Sequence, residues 1–232
     1  AFPNEFPGPE CGTLRRIGGS CARHPLMMAT PSMNAYDQAR QRIDAAHSAD
    51  PESADDGRPA ELVYADRVEA WVLALDPEAP ESLRLAARGQ HLERWLSPRG
   101  DFPQDRAGYL KWRAALYQKQ ADRALEILLQ SGVPESEARD ARRWISKTAL
   151  KTDPGSRMLE DAAVLVFLEH EIGEFASRHA DYPREKFLGI LRKTWAKISP
   201  AARQAAAALP VPPMVAEMLD EIAREDGSDS AP

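Results

Sequence analysis

The chain has 232 residues, enough for one large domain or two small ones with a full hydrophobic core. Its composition, 43% hydrophobic and 28% charged with a net charge of −6, is that of an ordinary globular protein. It gives no overall basic surface for nucleic acid and no apolar run long enough to cross a bilayer, so neither a nucleic-acid nor a membrane partner is expected.

Residues 1–33 are proline- and glycine-rich and are expected to form a disordered leader. Met33 stands just before the first helical pattern, so the leader reads as an extension upstream of the true start. Both cysteines, Cys11 and Cys21, lie in it. The helical body therefore does not depend on disulfides, which suits a reducing, cytoplasmic location. Tyr36, Ala39, Ile43 and Ala46 space a first helix over 35–49, stopped by Asp50-Pro51. A second runs from 60 to 75, with Leu62, Ala65, Val68 and Val72 on one stripe. Pro80 opens a third over 81–96. After an irregular loop, Asp105 is a good cap for a long fourth helix ending near Ser131, with Gly132 as its stop. Pro134 starts a fifth, ending near Leu150.

The segment from 157 to 179 is the expected centre of the protein. Ala162 to Leu168 is unbroken apolar sequence, which in a helix means burial on all sides. A helix over 183–198, a short alanine-rich turn (201–209) and an amphipathic segment (215–224) follow, with 226–232 read as a disordered tail. No stretch alternates with period two and no hairpin dipeptide separates apolar runs. The sequence predicts an all-α fold, one compact multi-helix domain over 34–225 built round the buried helix.

The candidate chemistry clusters on three of these helices. Glu160 and Asp161 open the buried helix, and carboxylates there are costly unless a cation meets them. His91 and Arg113 are the expected partners. In helix three, a stripe of Leu85, Gly89, Leu92 and Leu96 puts His91 and Trp95 at its edge, and Gly89 marks close packing or ligand approach. Arg94 and Arg99 add positive charge nearby. Helix four carries Tyr109, Trp112, Leu116 and Tyr117 on one face. Arg113 shares that face, and its planar fork suits a carboxylate or a phosphate. His24, His47 and His179 are expected to be exposed.

Three runs together, Ala87–Trp95, Asp105–Arg113 and Leu159–His170, resemble a family of bacterial and fungal proteins catalogued as domain of unknown function number 4202, over most of residues 35 to 210. More distantly, the chain is similar to the all-helical histidine–aspartate metal phosphohydrolases. His91 falls where their paired histidine stands and Asp161 where their lone aspartate stands, but Leu92 replaces the bridging carboxylate and Tyr64 an earlier histidine. That second resemblance implies a divalent metal or a water held by His91 and Asp161. Glu160 would then act as base, and Arg94 and Arg113 would stabilise developing negative charge. The expected function is a pocket for a small anionic ligand, built from His91, Arg94, Tyr109, Trp112, Arg113, Glu160 and Asp161, in a binding or accessory role. The alternative is a degenerate metal-dependent hydrolase of a phosphorylated substrate.

Overall fold

The structure, a computed structural model, describes residues 33–150 and 152–228. The expectations for the leader (1–32), both cysteines and the end of the tail (229–232) lie outside the described residues. Ten α-helices and no strand are found among the described residues, as the sequence predicts. They are α1 (Ala35–His47), α2 (Ala60–Leu75), α3 (Glu81–Arg88), α4 (Arg106–Gln130), α5 (Glu135–Ser146), α6 (Pro154–Val166), α7 (Ile172–Arg178), α8 (Arg184–Trp195), α9 (Pro200–Ala207) and α10 (Pro213–Ser228).

The helix starts follow local chemistry. Asn34, Asp105, Asp153 and Ser199 are N-caps whose side-chain oxygens accept from backbone N–H groups of the first turn. Pro59, Pro80, Pro134 and Pro183 precede α2, α3, α5 and α8 in extended conformation, where the missing N–H costs nothing. The last helix passes the expected boundary at residue 225, and Asp226 accepts from the Trp195 indole at 2.9 Å and from Arg203 at 2.7 Å.

Two expectations are corrected. The third helix ends at Arg88, not at residue 96. A Cβ on Gly89 would stand 3.0 Å from Ile145 and 3.3 Å from Ala124, so α3 approaches α4 and α5 closely there. The chain then turns out of the helix, with His91 at φ 61° and Glu93 at φ 53°, and closes in a single 3₁₀ turn at Arg94–Leu96. Leu96, placed on the buried stripe from the sequence, is 65% exposed. His47, expected on the surface, is fully buried, and its Nε2–H donates to the Arg88 carbonyl at 2.7 Å.

The buried helix forms as expected, as α6 and α7 joined through a π-helical turn at Phe167–Glu171. Leu159, Ala162 and Val166 join a core cluster with α1 to α5. Leu165, Leu168 and Ile172 join a second with α8, α9 and α10, including Leu188, Leu191, Val215 and Met218. The third face of α6, at i, i+3, i+4 and i+7, is Glu160, Ala163, Val164 and Phe167, and it borders a cavity of about 440 Å³. The rod is therefore packed on two faces and open to that cavity on the third, not buried on all sides as the apolar run suggests.

Candidate functional site

The long wall of the cavity is α4. Tyr109, Trp112, Arg113, Leu116, Tyr117 and Gln120 line it, a spacing that returns to one face every three or four residues. The loop before α4 fixes Trp112: its indole donates to the Ser97 carbonyl at 2.9 Å. Arg113 donates to the hydroxyls of Tyr109, at 3.4 Å, and Tyr117, and its guanidinium lies 5.3 Å from the Tyr117 ring centre. Among the described residues neither Arg113 nor Arg94 makes an ion pair with a carboxylate, whereas the buried Arg88 pairs with three: Asp44, Asp66 and Glu69. Arg94 instead stands 5.7 Å over the Trp112 ring and 3.4 Å from His91 Nε2.

The left-handed turn after α3 supplies His91. Its ring stacks on Tyr64 of α2, with centroids 4.0 Å apart and an 8° tilt. Its Nδ1 lies 3.0 Å from a carboxylate oxygen of Glu61, one turn before Tyr64. The carboxylate can only accept, so Nδ1 carries the proton and Nε2 keeps its lone pair. Burial pushes the imidazole below the ordinary histidine range despite Glu61, and the ring is neutral at neutral pH. About a quarter of the side chain still faces the cavity. The left-handed backbone is strained for a side chain with a Cβ, and such strain gathers at functional positions. Three non-glycine residues among those described carry it, and two of them, His91 and Lys147, line this cavity.

The partners expected for the two acids are corrected. Glu160 meets neither His91 nor Arg113 directly. It is ion-paired to Lys147, which follows α5, and lies 3.6 Å from Lys197, beyond α8. Burial raises its carboxyl, but Lys147 foremost, with Lys197 and the more distant Arg113, brings it below the ordinary carboxylate range. Asp161 does not line the cavity. One residue further round α6, its Oδ1 accepts the Ser199 backbone N–H at 2.9 Å and so ties α6 to the start of α9. Among the described residues no group of three or more His, Cys, Asp and Glu side chains is arranged to hold a metal ion. Of the two residues expected to hold a metal, His91 lines the cavity and Asp161 does not.

Six of the seven residues singled out from the sequence, all but Asp161, lie round this one cavity. The sequence reading missed Glu61, Gln90, Gln120, Lys147 and Lys197. Glu61 had a signal, one helical turn before a tyrosine already noticed. Lys147, in an unpatterned Ser-Lys-Thr, had none. Arg94, Arg113, Lys147 and Lys197 stand against two carboxylates, Glu160 and Glu171, with aromatic rings between them. Such an arrangement holds a negatively charged guest better than a positive or neutral one.

These features define an all-helical protein with a cation-rich, aromatic-walled cavity against its buried helix. The chain belongs to the family described as a domain of unknown function (DUF4202), whose model matches residues 37–219. No curated protein and no solved structure matches it. Among the described residues no helix is long and apolar enough to cross a membrane.

Proposed function

We propose that the protein binds a small organic anion in the cavity between α4, α6 and the turn after α3. One observation carries this reading: Arg94 and Arg113 border a cavity of about 440 Å³, within the range of small-ligand sites, and among the described residues neither forms an ion pair with a carboxylate. Their nearest partners are aromatic rings, phenol hydroxyls and a neutral imidazole, which orient a guanidinium without cancelling its charge. Lys147 and Lys197 are occupied by Glu160 and serve as its counter-ions rather than as ligands'.

The test is a thermal-shift screen of the full chain against organic phosphates and carboxylates. A ligand at a hundredfold excess over its Kd stabilises by about 2.7 kcal/mol, several degrees in a domain of this size. The double variant Arg94→Gln/Arg113→Gln should give a flat response while folding normally. A screen in which no anion raises the melting temperature, or a double variant that keeps the shift, would sink the reading.

A second reading, catalysis on the bound anion, is favoured by the Glu61–His91 pair. A carboxylate orients a neutral imidazole that lines the cavity, and its unprotonated Nε2 lies 3.4 Å from the Arg94 guanidinium, a base whose proton acceptance Arg94 tempers. It requires no metal. On this reading His91→Gln would leave anion binding within a fewfold of wild type and remove turnover, and loss of binding in that variant would count against it.

A further inference from the structure

The cavity has a mouth and a floor, and they differ in chemistry. Tyr109, near the start of α4, is exposed, and Arg113 one turn on is half-buried. Gln120 lies seven residues beyond Arg113 on the same face, about 10 Å further along the helix at ~1.5 Å per residue. It is 3% exposed, and Gln90, beside His91, is 4% exposed; both line the same cavity. The amide nitrogens of both glutamines are buried with no hydrogen-bond partner. Buried polar groups are nearly always paired, so two orphans at one cavity point to a partner from outside the chain. A half-turn of either amide presents its oxygen or its NH₂ to a guest, so the floor can meet both acceptors and donors. The lining also carries flat rings, namely Tyr64 stacked on His91, and Trp112 and Tyr117 of α4.

We infer that the ligand is a two-part anion: a flat heteroaromatic ring with a hydrogen-bonding edge at the Gln90–Gln120 floor, joined through a spacer to an acidic group at Arg94 and Arg113. The inference rests on the anion-binding reading above and adds the ring and the spacer. A purely apolar ring would leave the amides unpaired, and a sugar would leave the aromatic walls without a flat partner. Phosphate and carboxylate suit the guanidiniums equally, so both belong in the test.

Calorimetric titration of the full chain with five probes separates the parts. They are uridine and adenosine 5′-monophosphates (ring, spacer and phosphate), orotate (ring and carboxylate), uridine (ring alone) and ribose 5-phosphate (spacer and phosphate). At least one ring-bearing anion should bind tenfold or more tighter than both uridine and ribose 5-phosphate. A monophosphate binding tighter than orotate identifies the acidic group as a phosphate on a spacer. Gln120→Leu and Gln90→Leu should each weaken that probe tenfold or more and leave ribose 5-phosphate within twofold. Ribose 5-phosphate binding as tightly as every ring-bearing probe, or both leucine variants keeping full affinity, overturns the two-part ligand while anion binding stands. If neither ribose 5-phosphate nor any other anion binds, the anion site itself is overturned.

Discussion

Lys147→Met tests whether the acid at the head of α6 is held by the ammonium that follows α5. The side chains of Lys147 and Glu160 are 13% and 8% exposed, so the pair is largely desolvated. Removing one partner of a buried pair costs about 3–5 kcal/mol, because the other charge stays buried and unpaired. Lys197 remains near Glu160, but at 3.6 Å and 48% exposed it is a screened substitute, which puts the expected cost at the low end, about 3 kcal/mol. That is roughly 6–12 °C in melting temperature for a chain of this size. The cost should depend on pH. In the wild type the Glu160 carboxyl is held below its ordinary value of 4.5. Its contribution is thus complete above about pH 4.5 and is lost as pH falls through the folded value. The gap between wild type and variant, read by calorimetry from pH 7 to pH 3, should therefore close in acid. Lys147 also sits at φ 57°, so Lys147→Gly, which lacks the ammonium but not the backbone freedom, should be about 1 kcal/mol more stable than Lys147→Ala. A Lys147→Met cost below about 1 kcal/mol, or one unchanged at pH 3, would refute the assignment of Lys147 as the acid's partner.

Four further outcomes follow from packing and charge. Gly155→Ala should cost about 2 kcal/mol in urea unfolding, since its Cβ would fall 2.4 Å from the rigid Trp144 ring. In contrast Gly189→Ala, with nothing within 4 Å in mid-α8, should gain about 0.5–1 kcal/mol. Arg88→Met removes the guanidinium shared by Asp44, Asp66 and Glu69. Glu69 keeps Arg40 and Arg84, so a loss of about 3 kcal/mol is expected, and a melting temperature within a degree of wild type would show the network to be dispensable. His47 is buried and neutral, its pKa pushed below 6.5 by burial. Its stabilising contribution is complete above about pH 6.5 and declines as pH falls towards the folded value. The stability advantage of wild type over His47→Gln should shrink between pH 7.5 and pH 5, and an advantage constant with pH would contradict it.

The elements legible in the sequence were those decided within a turn or two of chain. Asp105 and the prolines before α3 and α5 fix their helices through their own caps and dihedrals, and the apolar run of α6 announced much of its burial, though not its start at Pro154. The α4 half of the site was legible for the same reason: Tyr109, Trp112, Arg113 and Tyr117 share one face by helical period alone. What failed was what depends on another element. Nothing near Gly89 in the sequence says that Ile145 and Ala124 press against it, and without that contact the stripe from Leu85 to Leu96 is a plausible helix. The acids were rightly expected to need cations, but a buried charge takes whichever cation the fold delivers. Here it is a lysine from an unpatterned loop, which leaves the arginine on the aromatic face unpaired.

That exchange of partners is what makes the cavity chemically interesting. Had Arg113 neutralised Glu160, the guanidinium would be a structural counter-ion, and a guest anion would compete with a buried carboxylate for it. With Lys147 and Lys197 in that role, Arg113 acts on Glu160 only at a distance and not through an ion pair. The guanidinium of Arg94 lies 5.7 Å from the Trp112 ring centre, and that of Arg113 5.8 Å and 5.3 Å from those of Tyr109 and Tyr117. The left-handed backbones of His91 and Lys147 fit the same account. Each is a strained position that glycine would occupy more cheaply, and at each the side chain faces the cavity. What holds each position is a contact at the cavity edge: the stack on Tyr64 and the bond to Glu61 for His91, and the ion pair with Glu160 for Lys147.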